Sequence, residues 1–228
     1  MRLALALAVG LSGPAMAQEI ASARLVDPTD RYDHAVLGDA LEWAGLEMTL
    51  SDGRRLRVTL PDSHVFEDVT ARVADFDGDG RTEVMVVETS LRQGASLAIY
   101  DATGKRAATP YIGQPHRWLS PAGWGDFDGD GRTEIAYIDR PHLKKSLVFV
   151  RFDGTDLIEI VRAPGFTNHR IGDSDISGGT RSCPGSDSLI VASADWARAL
   201  AVTLGSQGVT ATDIGPWRGR GPDLKHCP

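Results

Sequence analysis

The sequence predicts an all-β protein, a small β-propeller of about four four-stranded blades. A ten-residue segment beginning at Asp75, DFDGDGRTEV, recurs at Asp126 with a single Val-to-Ile exchange. Two degenerate copies lie around Asp27 and Asp173, so that the period is about fifty residues, as in propellers and solenoids. Each period contains four short runs rich in Val, Ile, Leu and Thr, which is the number of strands in one propeller blade.

The repeats are expected to share one order of elements: strand, acidic loop, strand, loop, strand, glycine-containing turn, strand. They span residues 22–61, 70–112, 121–163 and 169–215 of a single domain over 18–228, with a tail at 216–228. In the first repeat, the second strand is predicted over 34–40 (HAVLGDA). In the fourth repeat, the first strand is predicted over 169–173 (HRIGD). The last junction of each repeat contains glycine because tight hairpins need a residue that tolerates positive φ.

The first seventeen residues have the pattern of a secretory signal. Arg2 precedes an apolar run that ends at Leu11, and the small residues Ala15 and Ala17 mark a cleavage site. We therefore expect removal of residues 1–17 and export to the periplasm or the medium. No later stretch is apolar enough to predict a membrane span.

Charge and cysteine content narrow the classes of function. The formal net charge of -7 argues against a general nucleic-acid binder, which needs a basic surface. The two cysteines are Cys183 and Cys227. In an oxidising compartment they are expected to form a disulfide that ties the tail to the last repeat, and two free thiols are the alternative.

The duplicated acidic segment predicts a calcium site in each copy. Carboxylates stand at alternate positions, a glycine at position 6 allows a sharp turn, and position 7 can offer its backbone carbonyl. Hard oxygen ligands around a tight turn are what calcium needs. The predicted ligands of two structural calcium ions are Asp75, Asp77, Asp79, Glu83 and the carbonyl of Arg81, and Asp126, Asp128, Asp130, Glu134 and the carbonyl of Arg132. An acidic turn without metal is the alternative.

An EF-hand shares the first half of this pattern. It also needs a bidentate Glu at position 12 and a helix on each side. Position 12 is Val86 in one loop and Tyr137 in the other, and both flanks have the pattern of strands. The sequence therefore favours a calcium loop between strands.

The repeats resemble the FG-GAP or VCBS-type repeats of the integrin α-chain propeller and of exported bacterial proteins. In that family, the loop between the first and second strands of a blade binds calcium, and its ligands match both acidic segments position by position. Two repeats match clearly and two are degenerate. The Phe-Gly and Gly-Ala-Pro elements are absent, and integrin propellers have more blades. Completion of the ring by a partner chain is therefore the alternative to closure.

The degenerate loops are expected to lack calcium. The first has Arg31 at position 5, where a cationic side chain is incompatible with the metal. We expect the Arg31 guanidinium to lie near Asp27 in place of the ion, and an exposed Arg31 is the alternative. The fourth loop has Ser177 at the same position.

The end of the propeller opposite the acidic loops is expected to collect aromatic and basic residues. The candidate binding face consists of Trp43, His116, Arg117, Trp118, His142, His169, Arg170 and Trp196. Aromatic rings beside Arg and His suit a protein or carbohydrate partner that carries a polar or anionic group. Tryptophans packed between blades, with solvated histidines, are the alternative.

The sequence favours a non-enzymatic binding or scaffold module. It contains no nucleophile elbow, no HExxH segment and no glycine-rich phosphate loop. Two alternatives stay open, a secreted hydrolase acting on a sugar or phosphoester and a structural subunit of an envelope assembly.

Overall fold

A computed structural model describes residues 19–38 and 40–225, and within these ranges the chain is all-β, without a helix. Accordingly, this part of the chain has no helix of the length and apolar character that crossing a membrane requires. The predicted signal segment and Cys227 lie outside the described residues. The bond between Cys183 and Cys227 therefore stays a prediction.

The described residues form seventeen strands. They are β1 (Ile20–Thr29), β2 (Glu42–Leu50), β3 (Arg55–Thr59), β4 (His64–Phe66), β5 (Arg72–Ala74), β6 (Glu83–Ser90), β7 (Gly94–Asp101), β8 (Gly104–Ala108), β9 (Leu119–Gly125), β10 (Glu134–Asp139), β11 (Ser146–Phe152), β12 (Leu157–Pro164), β13 (Phe166–Thr167), β14 (Gly179–Cys183), β15 (Ser186–Ser193), β16 (Arg198–Gly205) and β17 (Gly208–Pro216).

The strands pair antiparallel in three sheets, in a β-propeller-like arrangement. The second sheet is a four-stranded meander in the order β12-β11-β10-β9, and the third contains β13 to β17. The first sheet combines the strands of the first two predicted repeats, because β4 pairs with β2 on one side and with β6 on the other. The number of separate sheets is therefore smaller than the number of predicted repeats.

The central strands are buried on both faces. Along β6, Met85 and Val87 pack in the core between the first and second sheets, while Val84 and Val86 pack in a core with strands of the first repeat. Neighbouring residues of a strand point to opposite faces, so a strand between two cores must be apolar at every position. This explains the continuous apolar runs in the sequence, and it places the cores between successive layers of strands.

The first repeat contributes three strands rather than four. The second strand predicted over 34–40 is wrong, because residues 34–38 form loop and turn. β1 pairs directly with β2 from Ile20 opposite Leu50 to Thr29 opposite Glu42, so no strand can lie between them. The loop instead contributes side chains to the interior.

The fourth repeat also differs from its prediction. Residues 169–173 lie in a loop rather than in a strand, and the first strand of the third sheet is split into β13 and β14, both paired with β15. The chain passes from β14 to β15 by a short turn at Pro184 and Gly185. The degenerate acidic segment around Asp173 therefore lies in the long insertion between β13 and β14, not in the connection that forms the acidic loop of other repeats.

The first and fourth repeats meet through loops. The Gly172 amide donates to the Val36 carbonyl at 3.1 Å. A Cβ atom on Gly38 would lie only 2.4 Å from the Gly172 oxygen, so this approach requires glycine. Among the described strands, none of the third sheet pairs with β1, β2 or β3. Trp217 and Leu224 of the tail cover the outer face of the third sheet instead.

Candidate functional site

Each acidic loop is anchored by the phenylalanine at its second position. Phe76 is fully buried between the first and second sheets, and Phe127 is buried between the second and third. The Phe76 amide donates to Glu83 Oε2 at 3.0 Å, and the Phe127 amide donates to Glu134 Oε2 at 2.9 Å. The motif therefore fixes the position of its last carboxylate through the same residue that anchors it in the core.

The first aspartate of each loop accepts two backbone hydrogen bonds. Asp75 accepts from the amides of Gly78 and Gly80 at 2.7 and 3.0 Å. Both glycines have positive φ, 78° and 85°, which turns their N–H groups toward the carboxylate. The corresponding bonds to Asp126 are 2.7 and 2.9 Å long. Because residues with a side chain rarely adopt this conformation, the two glycines are part of the site.

Three carboxylates converge in each acidic loop. The groups, whose oxygen atoms lie within 4.8 Å of one another, are Asp75, Asp77 and Glu83 in the first loop, and Asp126, Asp128 and Glu134 in the second. Burial raises the pKa of the Glu83 carboxyl to about 7, and the charges of Asp77 and Asp75 add to the effect. A cation that binds oxygen ligands would remove this repulsion, so each group could hold a metal ion.

Asp79 and Asp130 lie outside these tight groups. Their Oδ1 atoms accept the amides of Arg81 and Arg132 at 2.8 and 2.9 Å. These bonds close the turn that presents the other three carboxylates. Coordination by Asp79 and Asp130, and by the carbonyls of Arg81 and Arg132, stays a prediction.

The second acidic loop has an internal counterion. Arg151, on β11, places a guanidinium nitrogen 3.3 Å from Asp128 and another 3.2 Å from Asp130, and it also contacts Glu134. Its side chain is only 17% exposed. Its Nε has no hydrogen-bond partner although it is buried. The arginine is therefore held in place largely by its attraction to the three carboxylates.

The first acidic loop lacks such a counterion. Val84, the residue after Glu83, pairs with Tyr100, and Ile135, the residue after Glu134, pairs with Val150. Asp101, the residue after Tyr100, therefore occupies the position equivalent to Arg151. In the described part of the chain, no Lys or Arg lies within 4.0 Å of the carboxylates that converge in this loop. Its negative charge is therefore less compensated than that of the second loop.

The expected contact between Arg31 and Asp27 is absent. Arg31 donates to the His64 carbonyl and, at 3.4 Å, to Asp62. Asp27 instead pairs with Arg57 of β3. Asp27 lies within β1 rather than in a loop, so its nearest partners are residues of neighbouring strands, and the prediction for Arg31 is wrong.

A cavity of about 310 Å³ opens at the end of the sheets opposite the acidic loops. Four loops form its walls, and the residues that line it are His34, Val36, His116, Arg117, Trp118, Arg140, His142, Leu143 and Ile171. The structure thus brings together loops from the first, third and fourth predicted repeats and the segment that joins the second repeat to the third. Of the candidate binding face, the lining residues are His116, Arg117, Trp118 and His142.

Two histidines of this cavity are held by carboxylates. His34 Nδ1 lies 2.5 Å from Glu67 Oε1, and His116 Nε2 lies 2.7 Å from Asp33 Oδ1. Glu67 is fully buried, and burial raises the pKa of its carboxyl, opposed by the bond to His34. The Tyr32 ring stacks on His116 with 5.1 Å between centroids. His34 is thus fixed in orientation by Glu67, which follows β4, and His116 by Asp33 and Tyr32 of the loop that follows β1.

A second histidine pair, His142 and His169, is joined in one chain of hydrogen bonds. His169 Nε2 lies 2.8 Å from the Asp173 carbonyl, which can only accept, so this nitrogen carries hydrogen. His169 Nδ1 therefore accepts from His142 Nε2 at 3.0 Å. Burial lowers the pKa of His142 to about 4 and also lowers that of His169. Both rings are neutral at pH 7, and His142 Nδ1 is left as an acceptor.

Residues 75–137 match the family model described as an FG-GAP-like repeat. The matched segment contains both acidic loops and the strands from β6 to β9. The chain contains FG-GAP-like repeats. This confirms the resemblance for the two repeats in which the acidic pattern is complete. Comparison with curated proteins and with solved structures gave no match.

The remaining residues of the candidate face lie outside the cavity lining. Trp43 packs in the core of the first sheet. Arg170 stacks on Trp196 at 3.7 Å from the ring centroid, and Trp196 packs on Trp217 of the tail. None of Trp43, Arg170 and Trp196 lines the cavity. They belong to packing or to a separate surface.

Trp118 is both a cavity wall and a core residue of the FG-GAP-like repeats. It is 2% exposed, and its Nε1 donates to the Glu67 carbonyl at 2.8 Å. Its ring packs against His169 with 4.9 Å between centroids. The packing interpretation therefore applies to Trp118, and replacing it would disturb the fold as well as the cavity.

Sequence reasoning missed His34 and Arg140 as residues that line the cavity. His34 was assigned to a strand that does not form, and its partner Glu67 lies 33 residues away. Arg140 stands in the segment DRPHLKK beside His142. A basic loop between two buried strands was the signal that could have identified it.

Proposed function

We propose that the protein is an exported, calcium-stabilised β-propeller-type binding module for a protein or carbohydrate partner. The FG-GAP-like match and the β-rich fold support a binding module. The signal-like first seventeen residues support export to the periplasm or beyond. The observation that carries the assignment of the partner surface is the basic, aromatic cavity formed where four loops meet.

Calcium would have a structural role in this proposal. The carboxylates of Asp75, Asp77 and Glu83 in one loop, and their equivalents in the other, would hold the two ions. Each loop directly precedes a strand buried between two cores, β6 or β10. Binding would offset repulsion among the carboxylates and fix the loop, so that the folded state gains stability by mass action.

The cavity supports binding rather than covalent chemistry. In the described part of the chain, its lining has no Ser, Thr, Cys, Asp or Glu side chain. Among nucleophilic side chains, the described lining therefore offers only histidines for a covalent intermediate. Fixed histidines, arginines and apolar groups are instead suited to recognition.

Capture experiments test the partner surface. The mature protein, loaded with calcium, would be immobilised and exposed to a glycan array and to envelope extracts. Arg117→Ala removes a cavity arginine, and Arg54→Ala removes an exposed arginine from the turn between β2 and β3, at the opposite end. We expect a glycan or protein that is captured by the native chain and by Arg54→Ala but not by Arg117→Ala. Loss with Arg54→Ala and retention with Arg117→Ala would overturn the assignment.

One observation favours a hydrolase as the second candidate. His34 and His116 each have a carboxylate partner and face the same cavity, and such pairs can activate water. Screening with p-nitrophenyl phosphates and glycosides would compare the native chain with His116→Asn. Turnover that disappears in this variant would favour the hydrolase, whereas absence of turnover with intact capture would favour the binding module.

A further inference from the structure

Backbone strain is concentrated at the cavity end of the molecule. Six described residues other than glycine have positive φ, and five of them lie in loops at this end: Ala35, His116, Arg140, Lys145 and Trp196. Side-chain-bearing residues adopt this conformation at a cost in free energy, which glycine avoids. His116, with φ 53°, and Arg140, with φ 51°, line the cavity. The chain thus keeps two polar side chains where glycine would be the more stable choice, and such strain is typical of functional sites.

The cavity has an excess of positive charge. The Arg117 guanidinium donates to the His116 carbonyl at 2.8 Å, and no carboxylate of the described residues lies within 4.0 Å of it. Arg140 pairs with Asp139, but Asp139 also binds Lys144 and Arg162. Arg162 also pairs with Glu159, so two carboxylates serve three cations there. This local excess stands in a chain whose formal net charge is -7.

The carboxylates near the cavity do not cancel this charge. Asp33 is bonded to His116, and Glu67 is bonded to His34 and to the Thr89 hydroxyl. Glu67 is fully buried and does not line the cavity. An anionic group that enters would meet Arg117 without a competing carboxylate, whereas Arg140 already pairs with Asp139 and His116 with Asp33.

Apolar side chains complete the cavity. Leu143 is 65% exposed and Ile171 is 73% exposed, and both line the cavity together with Val36 and the ring of Trp118. Large apolar side chains exposed beside a cavity can contact the non-polar body of a ligand. The volume of about 310 Å³ suits a small molecule or one terminal group of a larger one.

We propose that this cavity binds an organic anion, a carboxylate or phosphate group carried on a ring or other apolar body. Arg117 and Arg140 hold the anionic group, and Leu143 and Ile171 flank the body. The inference deepens the proposed binding function and rests on the same end of the molecule. It names the chemistry of the ligand, which capture of a partner alone would not reveal.

Isothermal titration of the calcium-loaded mature protein tests this ligand chemistry. The probes are benzoate, phenyl phosphate and the neutral benzyl alcohol, which has a ring of the same size. Because charge-assisted hydrogen bonds are the stronger ones, we expect at least one anion to bind at least about tenfold more tightly than benzyl alcohol. The two anions distinguish a carboxylate site from a phosphate site. Equal affinity for all three probes, or no binding of either anion, overturns the proposal.

Two matched variants locate the anion. Arg117→Gln should weaken binding of the preferred anion at least about tenfold. Arg92→Gln, an exposed arginine in the turn between β6 and β7 that does not line the cavity, should leave it unchanged. Equal effects of the two substitutions would show a general charge effect and would overturn the assignment.

The strained residue Arg140 offers a second test with a separate readout. Arg140→Gly should weaken anion binding while the melting temperature stays constant or rises, since relief of strain offsets the lost ion pair. Lys145→Gly, at φ 52°, relieves the same strain outside the cavity and should leave binding unchanged. Unchanged binding by Arg140→Gly contradicts the proposal. If a partner is captured through Arg117 but neither anion binds, the proposed ligand chemistry is wrong and the proposed binding function stands. If an anion binds but no partner is captured, the ligand chemistry stands and the proposed function as a module for a protein or carbohydrate partner is wrong.

Discussion

Glu83 and Glu134 show how one residue serves both the fold and the candidate metal site. Each carboxylate accepts the amide of the buried phenylalanine at position 2 and shares its loop with two aspartates. Burial raises the pKa of both glutamates. The nearly identical decapeptides therefore reflect two requirements, an anchor in the core and a cluster of oxygen ligands, which allow little variation.

Arg151 makes the two acidic loops unequal, and its replacement gives a residue-scale prediction. Without metal, Arg151→Gln leaves Asp128, Asp130 and Glu134 without their cation, so the melting temperature should fall by roughly 3–8 °C. Calcium no longer competes with the guanidinium, so the rise in melting temperature on calcium addition should be larger than in the native chain. Differential scanning calorimetry with and without calcium measures both effects.

The control for this prediction is Arg198→Gln. Arg198 is an exposed arginine of β16 that pairs with Asp213 and contacts none of the clustered carboxylates. It should change the calcium response little. A response of Arg151→Gln that equals that of the native chain would show that Arg151 does not oppose metal binding.

The neutral histidine pair predicts a pH dependence of stability. The pKa of His142 is lowered to about 4, chiefly by burial, and the positive charge of nearby Lys145 adds to the effect. Its ordinary value is near 6.5, so the unfolded chain binds this proton more readily than the folded chain. The contribution of His142 to stability is complete above about pH 6.5 and is lost as the pH falls toward 4.

Melting curves between pH 7.5 and 5.5, at constant calcium, measure this effect. His142→Gln retains a donor for His169 and should lose less stability over this range than the native chain does. His64→Gln, outside the pair, should behave as the native chain. An unaltered pH dependence in His142→Gln would contradict the assignment of a buried neutral ring.

Among the elements, the C-terminal tail has the clearest structural role. Trp217 packs on Ile190, Ala192 and Ala199 of the third sheet, whose outer face would otherwise meet solvent. The tail thus covers the face of the third sheet that carries Ile190, Ala192 and Ala199. The predicted disulfide would link the same tail to β14 through Cys183.

Trp217→Ala should therefore lower the free energy of unfolding by about 3–5 kcal/mol, the usual cost of removing a buried aromatic ring. Urea denaturation measures the loss. Ile214→Ala, on the neighbouring strand β17 and 36% exposed, is the matched control and should cost much less. Equal small losses for both variants would mean that the tail does not stabilise the third sheet.

The central strands of the second and third repeats, β6 and β10, could be predicted because each lies between two cores, which leaves a continuous apolar run. The two wrongly predicted strands, over 34–40 and 169–173, have physical causes as well. Residues 34–38 contain Val36, whose buried side chain mimics a strand pattern while the backbone turns. Residues 169–173 were aligned on Asp173, but the inserted segment before β14 moved the true first strand downstream.

For the molecule as a whole, the sequence indicates which residue types surround the cavity but not their partners. His116 contacts Asp33, which lies 83 residues earlier in the chain, and Trp118 contacts Glu67, which lies 51 residues earlier. Such contacts follow from the packing of sheets, which single-sequence patterns do not encode. The acidic loops could be predicted because all their carboxylates lie within nine consecutive residues.

The central claim is that the duplicated acidic loops hold calcium ions that stabilise the fold. Calorimetric melting of the mature chain, with EDTA and then with excess calcium, tests it most directly, alongside the double variant Asp77→Ala with Asp128→Ala. We expect EDTA to lower the melting temperature, calcium to restore it, and the double variant to lose most of this response. A melting temperature indifferent to EDTA and calcium, in purified protein that contains no metal, would contradict the account.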